Sequence, residues 1–181
     1  GKASRDVTIA VTGKYATLRD AYASIIKACE HSGVHLGVNV NLKWVDTTAI
    51  EPSNVVRYLR DVHGIIVPGG FGIRGTEGKI ECIKYARENK IPYLGLCLGF
   101  QMAVIEFARN VCGMRDANST EFDPRCKNPV IDILPEQKMI EGLGGNMRLG
   151  GKDVVVMPDT LASRLFKNAA TIRLRFRHRY E

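Results

Sequence analysis

Two hydrophobic rhythms alternate along this chain, one strand-like and one with a helical repeat near 3.6 residues. Val7 to Thr12 is a β-branched run closed by Gly13, which predicts a first strand. Leu18, Ala21, Tyr22, Ile25, Ile26 and Cys29 then recur at helical spacing, with Gly33 as the expected stop. Val38, Val40, Leu42 and Trp44 alternate with polar residues, the pattern of a strand with one buried face. A short helix around Val55 to Leu59 leads to GIIVPGGFG, an apolar strand that breaks into glycines. Gly75 to Glu88 reads as a helix, Pro92 to Leu96 as a buried strand, and Leu98 to Val111 as the helix that follows it. After Ala117 the chain turns polar and turn-rich in ANSTEFDPRCKNP. MRLGGKDVVVM then predicts a hairpin near 147–157 that turns at Gly150-Gly151. Leu161 to Phe166 predicts one or two helical turns, and Thr171 to Tyr180 a last strand.

Strands that alternate with helices, the central ones apolar throughout, imply an α/β fold with a mostly parallel twisted sheet and helices on both faces. Ligands of such sheets sit beyond the carboxyl ends of the strands. Pro68-Gly69-Gly70-Phe71-Gly72 and Gly95-Leu96-Cys97-Leu98-Gly99 both fall at such ends, so both should lie on one sheet edge.

Composition narrows the class. The 181 residues, 45% hydrophobic, suit one domain with a sizeable core, read here as residues 1–181 without internal repeat or linker. No apolar run reaches the roughly 18 residues of a membrane span, and GKASRDVTIAVTGKY carries no signal-peptide core. Five cysteines, an odd number without C-x-x-C spacing, suggest free thiols in a reducing cytoplasm and argue against zinc. Net charge is +7, densest in RLRFRHR, where alternation would put Arg173, Arg175, Arg177 and Arg179 on one strand face. That face is either a solvated edge or a surface for anions; without interleaved aromatic platforms, nucleic acid is disfavoured.

GLCLG matches the nucleophile elbow G-x-Nu-x-G, in which a tight strand-to-helix turn projects the central side chain. A cysteine there meets the positive end of the next helix, which favours thiolate, and the next backbone N–H is free to donate to an oxyanion. A buried core thiol is the competing reading of Cys97, and Cys29, Cys82 and Cys112, which lack flanking glycine turns, are read as core or otherwise without chemistry. The Pro-Gly-Gly turn tilts the balance for Cys97. A thioester-forming nucleophile needs about two oxyanion donors, and backbone N–H groups of Gly70 and Leu98 would supply them if the two strands are neighbours.

Gly-Leu-Cys-Leu-Gly with Gln101, after a Pro-Gly-Gly turn, resembles the class I (triad) glutamine amidotransferases. PGGFGIRG, ARENKIPYLGLCLGFQ, ANSTEF, GGNMRLG and RHRYE together resemble, within them, the glutaminase domain of the CTP synthase family, from about Val7 to the last residue. The resemblance implies that Cys97 attacks the side-chain amide of L-glutamine and releases ammonia. A separate synthetase domain of the same polypeptide, absent here, would use it to aminate ATP-activated UTP. It further implies oxyanion donors at Gly70 and Leu98, and glutamine contacts at Gly70, Phe71, Leu98, Gln101, Glu121, Arg179 and Tyr180. Glu121 would accept from the α-amino group and Arg179 would pair with the α-carboxylate. Phe71 and Arg74 match the turn where the family's activator GTP is expected. No cofactor or metal is implied for this domain, whereas the whole enzyme is expected to use ATP and Mg and to assemble as a homo-oligomer, a tetramer.

The family's histidine base and its carboxylate normally lie in a His-Pro-Glu downstream of the RHRYE segment, and no such motif occurs in this sequence. Hence the expectation is a glutaminase domain lacking its C-terminal part, itself weakly active or inactive. The histidines present are His31, His35, His63 and His178, the last beside a substrate contact but without a base role in the family. IRLRF also departs from the acidic, histidine-rich run expected before Arg177. Two other readings remain: a non-catalytic glutaminase-like module that regulates a synthetase partner, and an elbow-cysteine protein of protease or chaperone type. The second does not account for ANSTEF, GGNMRLG or RHRYE.

Overall fold

A computed structural model describes residues 5–13, 22–134 and 148–181, which fall in two compact units, Gly1–Ile131 and Asp132–Glu181. Leu18 and Ala21 of the predicted first helix, and Gly144 to Met147 of GGNMRLG, lie outside the described residues.

In the first unit, β1 (Asp6–Gly13), β2 (Asn39–Asp46), β3 (Gly64–Val67) and β4 (Tyr93–Gly95) form one wholly parallel sheet in the order β2-β1-β3-β4. The helices α1 (Ala23–Leu36), α2 (Val55–Leu59), α3 (Thr76–Glu88) and α4 (Leu98–Asn110) make the crossovers that parallel strands require. The strand order explains the hydrophobic patterns. Central β1 and β3 bury Ala10, Val11, Ile65 and Val67, while Val40, Leu42 and Trp44 of edge strand β2 are only half-buried. Short strands β5 (Ala117–Ser119) and β6 (Asn128–Ile131) pair in parallel as a separate ladder that packs against α4. The α/β architecture read from the sequence is the one observed.

Four local expectations need correction. Pro92 to Leu96 is not a buried strand: only Tyr93–Gly95 pairs, at an edge of the described sheet where one side has no partner strand, and Leu94 is 52% exposed. The first helix continues through Gly33, which packs against Val40 and is buried, and it ends at Gly37 in a left-handed C-cap. In the second unit, Gly150 and Gly151 do not turn a hairpin. They lie inside one strand, β7 (Arg148–Val155), which pairs antiparallel with β8 (Thr171–His178) across α5 (Leu161–Leu165). The turn propensity of Gly-Gly is a local bias, and eight residue pairs of antiparallel ladder override it. Finally, β8 ends at His178, so Arg179 leaves the ladder. It is half-buried, while Arg173, Arg175 and Arg177 are exposed.

Helices α3 and α4 are bolted together by charge. Glu106, 1% exposed, accepts from Arg87 Nε at 3.0 and 3.1 Å and from its Nη2 at 2.9 Å, and also from Asn110 Nδ2 at 3.1 Å. A buried carboxylate is tolerable only when its lone pairs are answered in this way. The Glu106 hydrogen bonds push the Arg87 guanidinium further up, keeping it charged. At its other end α4 nearly touches the sheet: a Cβ on Gly99 would stand 1.9 Å from the carbonyl oxygen of Val67.

Two substitutions test these supports. Arg87→Ala leaves Glu106 buried without a counter-charge, held only by Asn110, and is expected to cost about 3 kcal/mol in urea denaturation. Gly99→Ala cannot be relieved by a rotamer, because the clash is with backbone. A loss of about 3 kcal/mol, with a shifted midpoint in the same denaturation, is expected.

Candidate active site

Strand β4 stops at Gly95 because the chain must turn at once into α4. Leu96 N–H donates to Val67 O at 2.9 Å, as the last rung shared with β3, and Gly99 N–H donates back to Leu96 O at 2.9 Å. Between them Cys97 occupies φ 53°, ψ −111°, and serves as N-cap of α4. A non-glycine residue there carries strain on the order of 1–3 kcal/mol and is held by its surroundings. The surroundings are visible. Tyr93 Oη donates to Gly99 O at 2.5 Å, and Gln101 N–H to Cys97 O at 3.2 Å. A Cβ on Gly95 would stand 2.6 Å from Tyr93 Oη and 2.7 Å from Phe100 N. Both elbow glycines are therefore required by close approach. Burial pushes the Tyr93 phenol up, which keeps it a neutral donor.

The second glycine turn comes alongside because Val67 pairs with Gly95 in parallel register. A Cβ on Gly69 would lie 3.3 Å from Cys97 Cβ and 3.9 Å from its Sγ, and one on Gly70 would lie 3.8 Å from Leu98 Cδ2. Backbone N–H groups at Gly70 and Leu98 make no hydrogen bond among the described residues. Two unspent donors thus flank an exposed thiol, the arrangement that stabilises charge on a carbonyl oxygen under nucleophilic attack.

Of the other sequence-predicted residues, Gln101 is buried one helical turn beyond Cys97. Glu121 reaches the same edge: its Oε1 accepts from Gly72 N–H at 3.0 Å. Its loop is tightly held, with Thr120 N–H on Ile131 O and the amides of Phe122 and Asp123 on Ser119 O. Arg109 anchors the approach to that loop, Nε donating to Ala117 O at 2.7 Å and Nη1 pairing with Glu77 at 2.9 Å. Phe71 and Arg74 are exposed on the turn between β3 and α3. In the second unit, Arg179 lies 5.9 Å from the Tyr180 ring centroid, and its buried Nε has no partner among the described residues.

The remaining thiols differ from Cys97. Burial, then the charge of Glu81, pushes Cys82 up to about 12, and burial also raises Cys29. Cys112 is exposed at the far end of α4 and Cys126 half-buried. No first-unit histidine serves the elbow: His31 and His35 are exposed on α1, and His63 precedes β3, at the opposite end of the strands from Cys97. Its Nδ1 accepts from Thr8 N–H at 3.0 Å. His178 pairs through Nε2 with Glu181. No cluster of three His, Cys, Asp or Glu able to hold a metal occurs among the described residues, and no helix described is long and apolar enough to cross a membrane. Sequence reasoning missed Tyr93, since a tyrosine inside a strand carries no local signal of what it meets in space.

A sequence model of the class-I glutamine amidotransferases matches residues 17–181. The chain is 54% identical over 177 residues to a CTP synthase of Thermus thermophilus, and 54% identical over 176 residues to one of Archaeoglobus fulgidus. These matches cover 98% and 97% of the chain, which spans about a third (32%) of the length of those relatives. The structure superposes with TM-score 0.89 on the Trypanosoma brucei CTPS glutaminase domain with bound acivicin, at 38% identity over 97% of this chain and 67% of that one. Sequence match and structural superposition agree, and the chain belongs to the class-I glutamine amidotransferase family.

Proposed function

We propose that this chain is the glutamine-hydrolysing domain of a CTP synthase, with Cys97 as the nucleophile. The observation that carries the reading is the strained, exposed Cys97 between two unspent backbone donors, Gly70 and Leu98. The Cys97 thiolate attacks the carboxamide carbon of glutamine, and negative charge moves onto the amide oxygen between those two N–H groups. Collapse breaks the C–N bond as the leaving nitrogen takes up the proton that the thiol had given up, which releases ammonia and leaves a γ-glutamyl thioester; water then cleaves the thioester to glutamate and the free Cys97 thiol. Glu121 offers the carboxylate for the α-ammonium group, and Gln101 a neutral partner close to the nucleophile. Arg179, with an unanswered buried Nε beside the Tyr180 ring, is suited to the α-carboxylate. Exposed Phe71 and Arg74 offer a stacking face and a cation to a purine nucleotide effector, GTP in this reading.

Ammonia made here would serve an amination of ATP-activated UTP in a synthetase domain of the same polypeptide, the pairing that the names of the relatives support. ATP and Mg belong to that domain rather than to residues of this one.

Acivicin labelling of the full-length protein tests the assignment. The expected result is one adduct, on Cys97, suppressed by glutamine. Cys97→Ala should then abolish glutamine-dependent CTP formation while leaving synthesis from added ammonia intact. Labelling distributed over Cys112 and Cys126 and indifferent to glutamine would overturn it.

A further inference from the structure

Gly69, Gly70 and Gly72 make the Pro68–Gly72 turn loose by sequence, yet an oxyanion donor has to be held in place before the charge forms. Pro68, Gly69 and Gly70 make no hydrogen bond among the described residues. On the strand side the turn is tied to the sheet at Val67, whose carbonyl oxygen takes the rung from Leu96 N–H. Two residues beyond Gly70 the chain is left-handed, with φ 78° at Gly72, and the Gly72 N–H donates to Glu121 Oε1 at 3.0 Å. A restraint at that end of the turn therefore comes from a side chain on a different loop.

Glu121 is itself well held. Its N–H donates to Oγ of the buried Ser119 at 3.2 Å, and Thr120 N–H ties the loop to Ile131 O on β6. A carboxylate on a backbone N–H makes a charge-assisted bond, stronger than its neutral counterpart. The bond engages Oε1 alone, and Oε2 makes no hydrogen bond among the described residues. Since each oxygen has lone pairs of its own, one carboxylate can hold the turn and still offer Oε2 to an ammonium group.

We infer that Glu121 is a positioning residue of the oxyanion hole as well as a glutamine contact: by holding the Gly72 N–H it fixes the Pro68–Gly72 turn, and with it the Gly70 donor beside Cys97. The inference rests on the glutaminase reading above and extends Glu121 from binding to the chemical step. An ammonium contact is made before and during the reaction and so acts on KM. A well-placed oxyanion donor counts only as charge forms and so acts on kcat.

Two neutral variants of the full-length protein separate the two parts. Glu121→Gln keeps a carbonyl oxygen for the Gly72 N–H and loses the charge that attracts an ammonium group, whereas Glu121→Ala loses both. The probes are glutamine and glutaric acid monoamide, which is glutamine without its α-amino group. With the monoamide, kcat/KM of Glu121→Ala is expected to fall about tenfold below that of Glu121→Gln, because no ammonium contact exists to be lost. With glutamine both variants should raise KM, and Glu121→Ala alone should lower kcat by a similar factor. Iodoacetamide alkylation of Cys97 displaces iodide at a saturated carbon and forms no oxyanion, so it should keep the wild-type rate in both. Equal kcat of the two variants on glutamine overturns the inference, whether or not the monoamide is turned over. So does a loss of hydrolysis in Glu121→Ala that the alkylation rate matches, since the elbow rather than the donor is then disturbed. Wild-type protein that is alkylated at Cys97 but hydrolyses neither substrate would instead sink the glutaminase reading.

Discussion

One carbonyl group organises the site. Val67 O, at the end of β3, accepts the last parallel rung from Leu96 N–H, and the same oxygen is where α4 comes closest to the sheet. The rung brings β4 level with β3, so that the two glycine turns leave the sheet side by side. The crowding leaves room for nothing larger than hydrogen at Gly99, and with the chain pinned there, Cys97 must span strand and helix in the φ > 0 region. The thiol is exposed because its backbone has no alternative, and the donor at Leu98 is unspent because it opens a helix.

Charge on the far side of the elbow keeps this crossing from relaxing. The Glu106–Arg87 pair fixes α4 against α3, and Arg109 joins α4 to Glu77 and to Ala117 O at the start of β5. Those bonds carry the position of α4 to the Ser119–Glu121 loop, and Glu121 returns it to the Pro68–Gly72 turn through Gly72 N–H. Elbow, turn and the Ser119–Glu121 loop are thus linked in a circuit of hydrogen bonds and backbone within one unit. A contact between Glu121 and a substrate ammonium group would share the carboxylate with its bond to Gly72.

Much of this was legible in the sequence. The apolar run at β3 identifies a central parallel strand, and the glycines at 69, 70, 95 and 99 mark the places where backbones meet. Legibility failed where the deciding partner is distant in sequence. Gly150-Gly151 has the local chemistry of a turn, but β8 twenty residues away holds it straight. Gly33 resembles a helix stop, yet its smallness serves packing against Val40, and the stop is Gly37. Arg179 seemed the fourth tooth of a basic comb until the strand ended one residue before it.

Cys82 and Cys97 show why strain is the more telling sign of chemistry than burial. Cys82 sits in relaxed helix with no exposed surface, and its thiol is pushed up to about 12 by burial and by Glu81, so it stays protonated and inert at neutral pH. Nothing in its backbone is unusual. Cys97 occupies a conformation that glycine would take with less strain, at a position where a purely structural role would favour glycine. A side chain kept there against that cost, exposed rather than contributing to the core, makes sense if the thiol itself is used. The same argument weighs against a merely regulatory module, since binding a ligand without chemistry would need neither a strained cysteine nor two free amides beside it.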